Sequence, residues 1–224
     1  MTLLVAVLLL ALTARGQNDD AAADDYFHPE APLTGIAQQW QSHPLKVKVL
    51  YPKAQVRNLA MAFCRQFPQY KPNTGMADYL QHPGEVKWEE RHYYVDEDVR
   101  HGYVKCDMGG QFDYMTNVCY WRRPNGHQLV GVLMQVGHEG ERCSNLLLFY
   151  DYDPQTQLMT PDTTVFNAVQ KVLRSHRESN FITLPKEGKD IEVTAVYWTE
   201  ADDFVYDEYK LVWTNNGFRE VEAN

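Results

Sequence analysis

The sequence predicts one α+β domain, an antiparallel β-meander with two main helices packed against it. Three observations carry that expectation. A helical stripe opens the folded region, four β-rich runs then follow with only turns between them, and a second helical stripe precedes three more strands. The chain has 224 residues, 44% hydrophobic, with 13 Gly and 11 Pro, the composition of an ordinary globular protein. No internal repeat and no interior linker divides residues 36–224.

In chain order, Val56, Leu59, Ala60, Phe63, Cys64 and Phe67 recur at helical spacing on one face, between Pro52 and Pro68. A shorter helical turn, Met76 to Leu80, ends at His82-Pro83-Gly84. The period then changes. Tyr103 to Asp107, Tyr114 to Arg122, Gln128 to Val136 and Asn145 to Tyr152 are rich in β-branched and aromatic residues. Between them lie Gly109-Gly110, Pro124-Asn125-Gly126 and Gly137-His138-Glu139-Gly140, so the strands must run antiparallel. The third run carries Val130, Val132, Met134 and Val136 on one side and Leu129, Gly131 and Leu133 on the other. It is expected to be central and covered on both faces.

Asp153-Pro154-Gln155-Thr156 reads as a turn, and Asp162 or Thr163 as the N-cap of the second helix. Phe166, Val169, Val172 and Leu173 form that helix's apolar stripe. Three strands close the domain, Ile191 to Trp198, Val205 to Trp213 and Phe218 to Val221, the last two joined at Asn215-Asn216-Gly217.

The N-terminus reads differently. Leu3 to Leu12 is a continuous apolar run that would reach ~15 Å as a helix, about half a bilayer core. With Ala14 and Gly16 ahead of a cut before Gln17, residues 1–16 are expected to be a secretory signal peptide. No transmembrane anchor is expected once it is removed. Residues 17–35, with Asp19, Asp20, Asp24 and Asp25 among alanines, read as a mobile acidic lead segment. Acidic residues outnumber basic ones 30 to 21, a net charge of −9, which disfavours nucleic acid as a partner.

Export favours disulfides, and Cys106 and Cys119 on neighbouring strands form the expected bridge. Cys64 is expected to be a buried thiol, with Cys143 pairing with it or staying free. Asp151 and Asp153 flank Tyr152 and alternate onto one side of a strand end, where they could ligate Ca²⁺. A second acidic group spans Glu200, Asp202, Asp203, Asp207 and Glu208. Trp88, Tyr93, Tyr94, Trp121 and Trp198 are the candidates for an aromatic binding face. Trp213 belongs to the core. Known catalytic motifs are missing. His138-Glu139 lacks the second zincin histidine, where Arg142 stands, and none of the four serines lies in a nucleophile elbow. Phosphate-loop and dinucleotide patterns are also missing, so no cofactor is expected.

The runs CYWRRPNGHQLVGVLM (119–134), LLLFYDYDPQTQLMTP (146–161), ITLPKEGKDIEV (182–193) and YKLVWTNNGF (209–218) resemble a group of uncharacterised exported proteins of Gram-negative gut anaerobes. The resemblance spans most of residues 45–222 and implies export, a periplasmic or surface location and an α+β fold, with no activity attached. The functional expectation is a non-catalytic binding protein of the bacterial envelope, taking a glycan, a peptide or another envelope protein through sheet-borne aromatics. The rival is a hydrolase built from Asp151, Asp153, His138 or Cys143, and a structural envelope component is the third reading.

Overall fold

The computed structural model describes residues 31–49, 55–82, 93–109, 113–137, 143–176, 179–198 and 204–222. The order among them is α1 (Ala31–Gln39), a 3-10 turn (Trp40–Ser42), β1 (Leu45–Lys46), α2 (Val56–Gln66), α3 (Lys71–Gln81), β2 (Tyr94–Asp98), β3 (Tyr103–Met108), β4 (Asp113–Arg122), β5 (Gln128–Gly137), β6 (Ser144–Asp153), β7 (Leu158–Pro161), α4 (Thr163–Ser175), β8 (Ser179–Thr183), β9 (Ile191–Trp198), β10 (Phe204–Trp213) and β11 (Phe218–Glu222). The expected signal peptide, residues 1–16, lies outside the described residues, as do Trp88 and His138.

Two meanders make the fold. One is a seven-stranded sheet in the order β1-β7-β6-β5-β4-β3-β2, and the other a four-stranded sheet in the order β11-β10-β9-β8. Every pairing is antiparallel. β5 is the middle strand of the large sheet, as its two apolar faces require. Val130, Val132, Met134 and Val136 enter a core shared with α1, α2 and α3, while Leu129 and Leu133 enter a second core shared with α4 and the small sheet. The result is three layers: helices, large sheet, then small sheet with α4.

Local signals explain most elements. All six apolar positions of the predicted α2 stripe are buried, at 1% exposure or less. Asp162 is the N-cap of α4, its Oδ1 accepting from the Val165 amide at 3.0 Å. The expected turn at Met76 to Leu80 extends into the full helix α3, with Pro72 in the first turn where a missing N–H does no harm. Asn73 fixes α3 to the sheet. Its Nδ2 donates to the Phe67 carbonyl at 2.7 Å, and its Oδ1 accepts from the Thr116 hydroxyl at 2.8 Å, all of it buried.

The expected lead segment ends earlier than residue 35. Ala31–Gln39 is helical, with Leu33 at 5% and Ile36 at 0% exposure, and Trp40 follows fully buried against Tyr150 and Phe166. Leu33, Ile36 and Trp40 share one helical face, and Pro32 sits in the first turn, where proline is tolerated. The two-helix expectation is therefore too small: the described residues contain four α-helices.

Candidate binding site

The predicted aromatics whose side chains are described, Tyr93, Tyr94 and Trp121, do not converge on one surface. Trp121 is a correction: it is 4% exposed and lies between the two sheets. Its ring stacks on Trp213 at 5.9 Å and meets Phe218 edge-on at 5.0 Å, and its Nε1 donates to the Lys189 carbonyl at 2.7 Å. β4 turns its odd-numbered side chains toward the small sheet, so Trp121 is the cement of that interface. Tyr93 docks on α3, with its hydroxyl 3.0 Å from Asp78 Oδ2 and its ring over Gly75, where a Cβ would come within 2.8 Å. Tyr94, next to it on the edge strand, is 47% exposed. Trp198 ends β9, where its register partner is Phe204.

Two further outward rings are ones that the sequence did not single out. Phe181 on β8 is 43% exposed and Tyr206 on β10 is 61% exposed. In the register Tyr206 stands opposite Val196, and Phe181 opposite Thr194, so the two residues flank β9 on its outer side. Glu208 lies opposite Thr194, and Glu192 opposite Lys210, its carboxylate 3.3 Å from the Lys210 Nζ. Alternation in β10 was the signal that could have found this face: Tyr209, Leu211 and Trp213 claim the inner side, which leaves Tyr206 outside.

Asp151 and Asp153 do share a side of β6, as alternation predicts, but protein donors occupy both. His127 sits between them, with Nδ1 2.6 Å from Asp151 Oδ2 and Nε2 3.8 Å from Asp153 Oδ1. The other Asp151 oxygen receives Arg123 Nη1, whose Nη2 lies 2.6 Å from Asp162 Oδ2. Asp153 closes its own turn, accepting from the Gln155 amide and the Thr156 hydroxyl, each at 2.8 Å, which holds its carboxyl below the usual range. A calcium ion here would have to displace a guanidinium and an imidazole. Among the described residues no group of three or more His, Cys, Asp and Glu side chains is arranged to hold a metal ion. Of the second acidic group, Glu200, Asp202 and Asp203 lie outside the described residues, and Asp207 and Glu208 are consecutive on β10, so they face opposite ways.

The Cys106–Cys119 bridge is overturned by register. Cys106 pairs with Thr116 and Cys119 with Tyr103, so an odd number of steps separates them and they project to opposite faces of the sheet. Cys106 joins the helix-side core and Cys119 the core between the sheets. None of the four cysteines, Cys64 and Cys143 included, is in a disulfide. Burial pushes the Cys106 thiol up to about 12 and the Cys143 thiol up to about 11, the opposite of a nucleophile's shift. Cys143 precedes β6 and Asp151 lies near its far end, roughly 26 Å away by strand rise, so the two cannot serve one catalytic centre.

No family model, curated protein or solved structure matches the chain. Among the described residues no helix is long and apolar enough to cross a membrane.

Proposed function

We propose that the chain is an exported, non-catalytic binding protein that holds a glycan on the outer face of its four-stranded sheet. The observation that carries this reading is the pair of outward rings, Phe181 and Tyr206, on either side of β9. They stand two strand spacings apart, about 10 Å, on the side of the small sheet away from the large one. Adjacent exposed rings on a sheet mark an interaction surface more than scattered ones do. Thr194, Glu192 and Glu208 lie among them and supply acceptors for sugar hydroxyls. Export rests on the apolar run Leu3 to Leu12 with the small residues Ala14 and Gly16. The four cysteines, none of them in a disulfide, lend it no support. The rival hydrolase is weakened because Cys143 and the two aspartates sit at opposite ends of β6.

Calorimetric titration of the purified chain with neutral oligosaccharides and short peptides tests the reading. Binding of at least one oligosaccharide is expected, weakened tenfold or more in the Phe181→Ala, Tyr206→Ala double variant with its unfolding midpoint unchanged. Binding of peptides alone would move the reading to a peptide or envelope-protein partner, and silence toward both would favour a structural envelope component.

A further inference from the structure

A different part of the molecule carries an independent inference. Beside β1 and α2 lies a groove of about 580 Å³, whose described walls are residues 44–48, α2 and the C-terminal end of α3. Lys46, Lys48, Arg57 and Arg65 line it, and no described lining residue is an Asp or Glu. Glu97 already holds Arg57 through both carboxylate oxygens. Lys46, Lys48 and Arg65 are exposed and make no ion pair with any described residue. Asp153, two strands from Lys46 across Leu158, is bound within its own turn. The half-buried side chains of Met61, Ala62 and Leu80 add apolar surface to the groove.

The groove also borders an open sheet edge. β1 is the end strand of the large sheet and, among the described strands, pairs only with β7. The Val47 amide donates to the Gln157 carbonyl at 2.9 Å, on the β7 side, so alternation turns the N–H and C=O of Lys46 and Lys48 the other way. There the Lys48 carbonyl accepts from Asn58 Nδ2 of α2 at 3.1 Å, which sets this edge on the groove. An extended segment laid along such an edge gains backbone hydrogen bonds, while the flanking side chains select what is laid there.

We propose that this groove is the docking site of the chain's own acidic lead, residues 17–30, laid along the β1 edge. Charge and length single that segment out. It contains Asp19, Asp20, Asp24, Asp25 and Glu30, and no Lys or Arg. Asp24-Asp25 run directly into Tyr26-Phe27, so one short stretch offers carboxylates to Lys46, Lys48 and Arg65 and rings to Met61, Ala62 and Leu80. The segment ends where α1 begins, and α1 leads through the turn at Trp40–Ser42 into β1. That path spans at most ~30 Å, whereas residues 17–30 extended reach ~46 Å. A tether of this kind supplies an effective concentration on the order of mM, so weak contacts suffice. The other acidic stretch, 199–203, joins β9 to β10 in the small sheet, on the opposite side of the large one.

Carbodiimide, which joins a carboxylate to an amine in contact with it, tests this on the whole protein. The readout is peptide mass spectrometry of an equal mixture of unlabelled and 15N-labelled chains. At low salt Lys46 or Lys48 is expected to link to Asp19, Asp20, Asp24 or Asp25 of the same chain, at least tenfold more often than do the exposed Lys171 and Lys189 on the far side of the large sheet. Chymotrypsin should cut after Tyr26 and Phe27 at least tenfold faster in the Lys46→Gln, Lys48→Gln, Arg65→Gln variant. Its unfolding midpoint should hold, since all three side chains are exposed and pair with nothing in the described fold. The Asp24→Asn, Asp25→Asn variant, which alters no described residue, should also be cut faster. Four results would each overturn the proposal: no link at Lys46 or Lys48, links spread equally over Lys171 and Lys189, links only between chains, or cleavage unchanged in either variant.

Discussion

At the scale of single residues, parity along a strand decides chemistry. Cys106 and Cys119 look like partners because a tight excursion separates two neighbouring strands, yet the register sends them to different cores. Iodoacetamide should therefore label Cys143 first in the native protein, and all four cysteines after unfolding without reductant. Intact-mass analysis that finds two hydrogens missing from the untreated chain would contradict the lack of a disulfide. Asp162 carries a double duty that its sequence context half reveals. One oxygen caps α4 and the other pairs with Arg123, both side chains being largely buried. Asp162→Ala should lower stability by about 2–4 kcal/mol in urea unfolding, because a cap is lost and Arg123 keeps only the Asp151 carboxylate and a 3.4 Å bond to the Asn216 carbonyl. Asp162→Asn keeps the cap and should lose less. Gly131 is tighter still. A Cβ there would lie 2.8 Å from the Trp121 ring, which Trp213 and Phe218 hold in place. Gly131→Ala should cost about 1–3 kcal/mol, read as a lower thermal midpoint.

At the scale of elements, turns and strands were legible wherever their signal is local. The strand over 191–198 and the Asp162 cap appear as expected, and the other predicted strands differ at their ends by a residue or two. β2 (Tyr94–Asp98) was missed because its sequence is three acids beside a Tyr and a Val. It is an edge strand, where charge blocks further pairing, and Glu97 turns inward only to meet Arg57. β7 and β8 were missed because each is short and its pairing partner supplies the order. The β6–β7 turn has a pH signature of its own. The folded state depresses the Asp153 carboxyl chiefly through the Gln155 amide, then the Thr156 hydroxyl. Its contribution is present above the ordinary value of 3.8 and is lost as pH falls through the lower folded value. Amide shifts of Gln155 and Thr156 should hold steady from pH 5 to 8 and move only below about pH 4.

At the scale of the whole molecule, the large sheet needs a cover on each face. Its outer side toward the small sheet carries Trp121, Leu129, Leu133, Leu147 and Phe149. A chain ending after residue 176 would strip the small sheet from that side and leave it only α4 as cover, and should aggregate or bind a hydrophobic dye, whereas the full chain should unfold in one calorimetric transition. The amino-acid order by itself determined the class of fold, the antiparallel meander, the central place of β5 and the two main helical stripes. Each of these follows from periods of two or 3.6 and from turn residues acting over a few positions. Only the tertiary structure decided which rings face solvent, which thiols face each other and which carboxylates are already spoken for. Those depend on register and on the docking of one meander over the other, where a single step along a strand reverses the direction of every side chain.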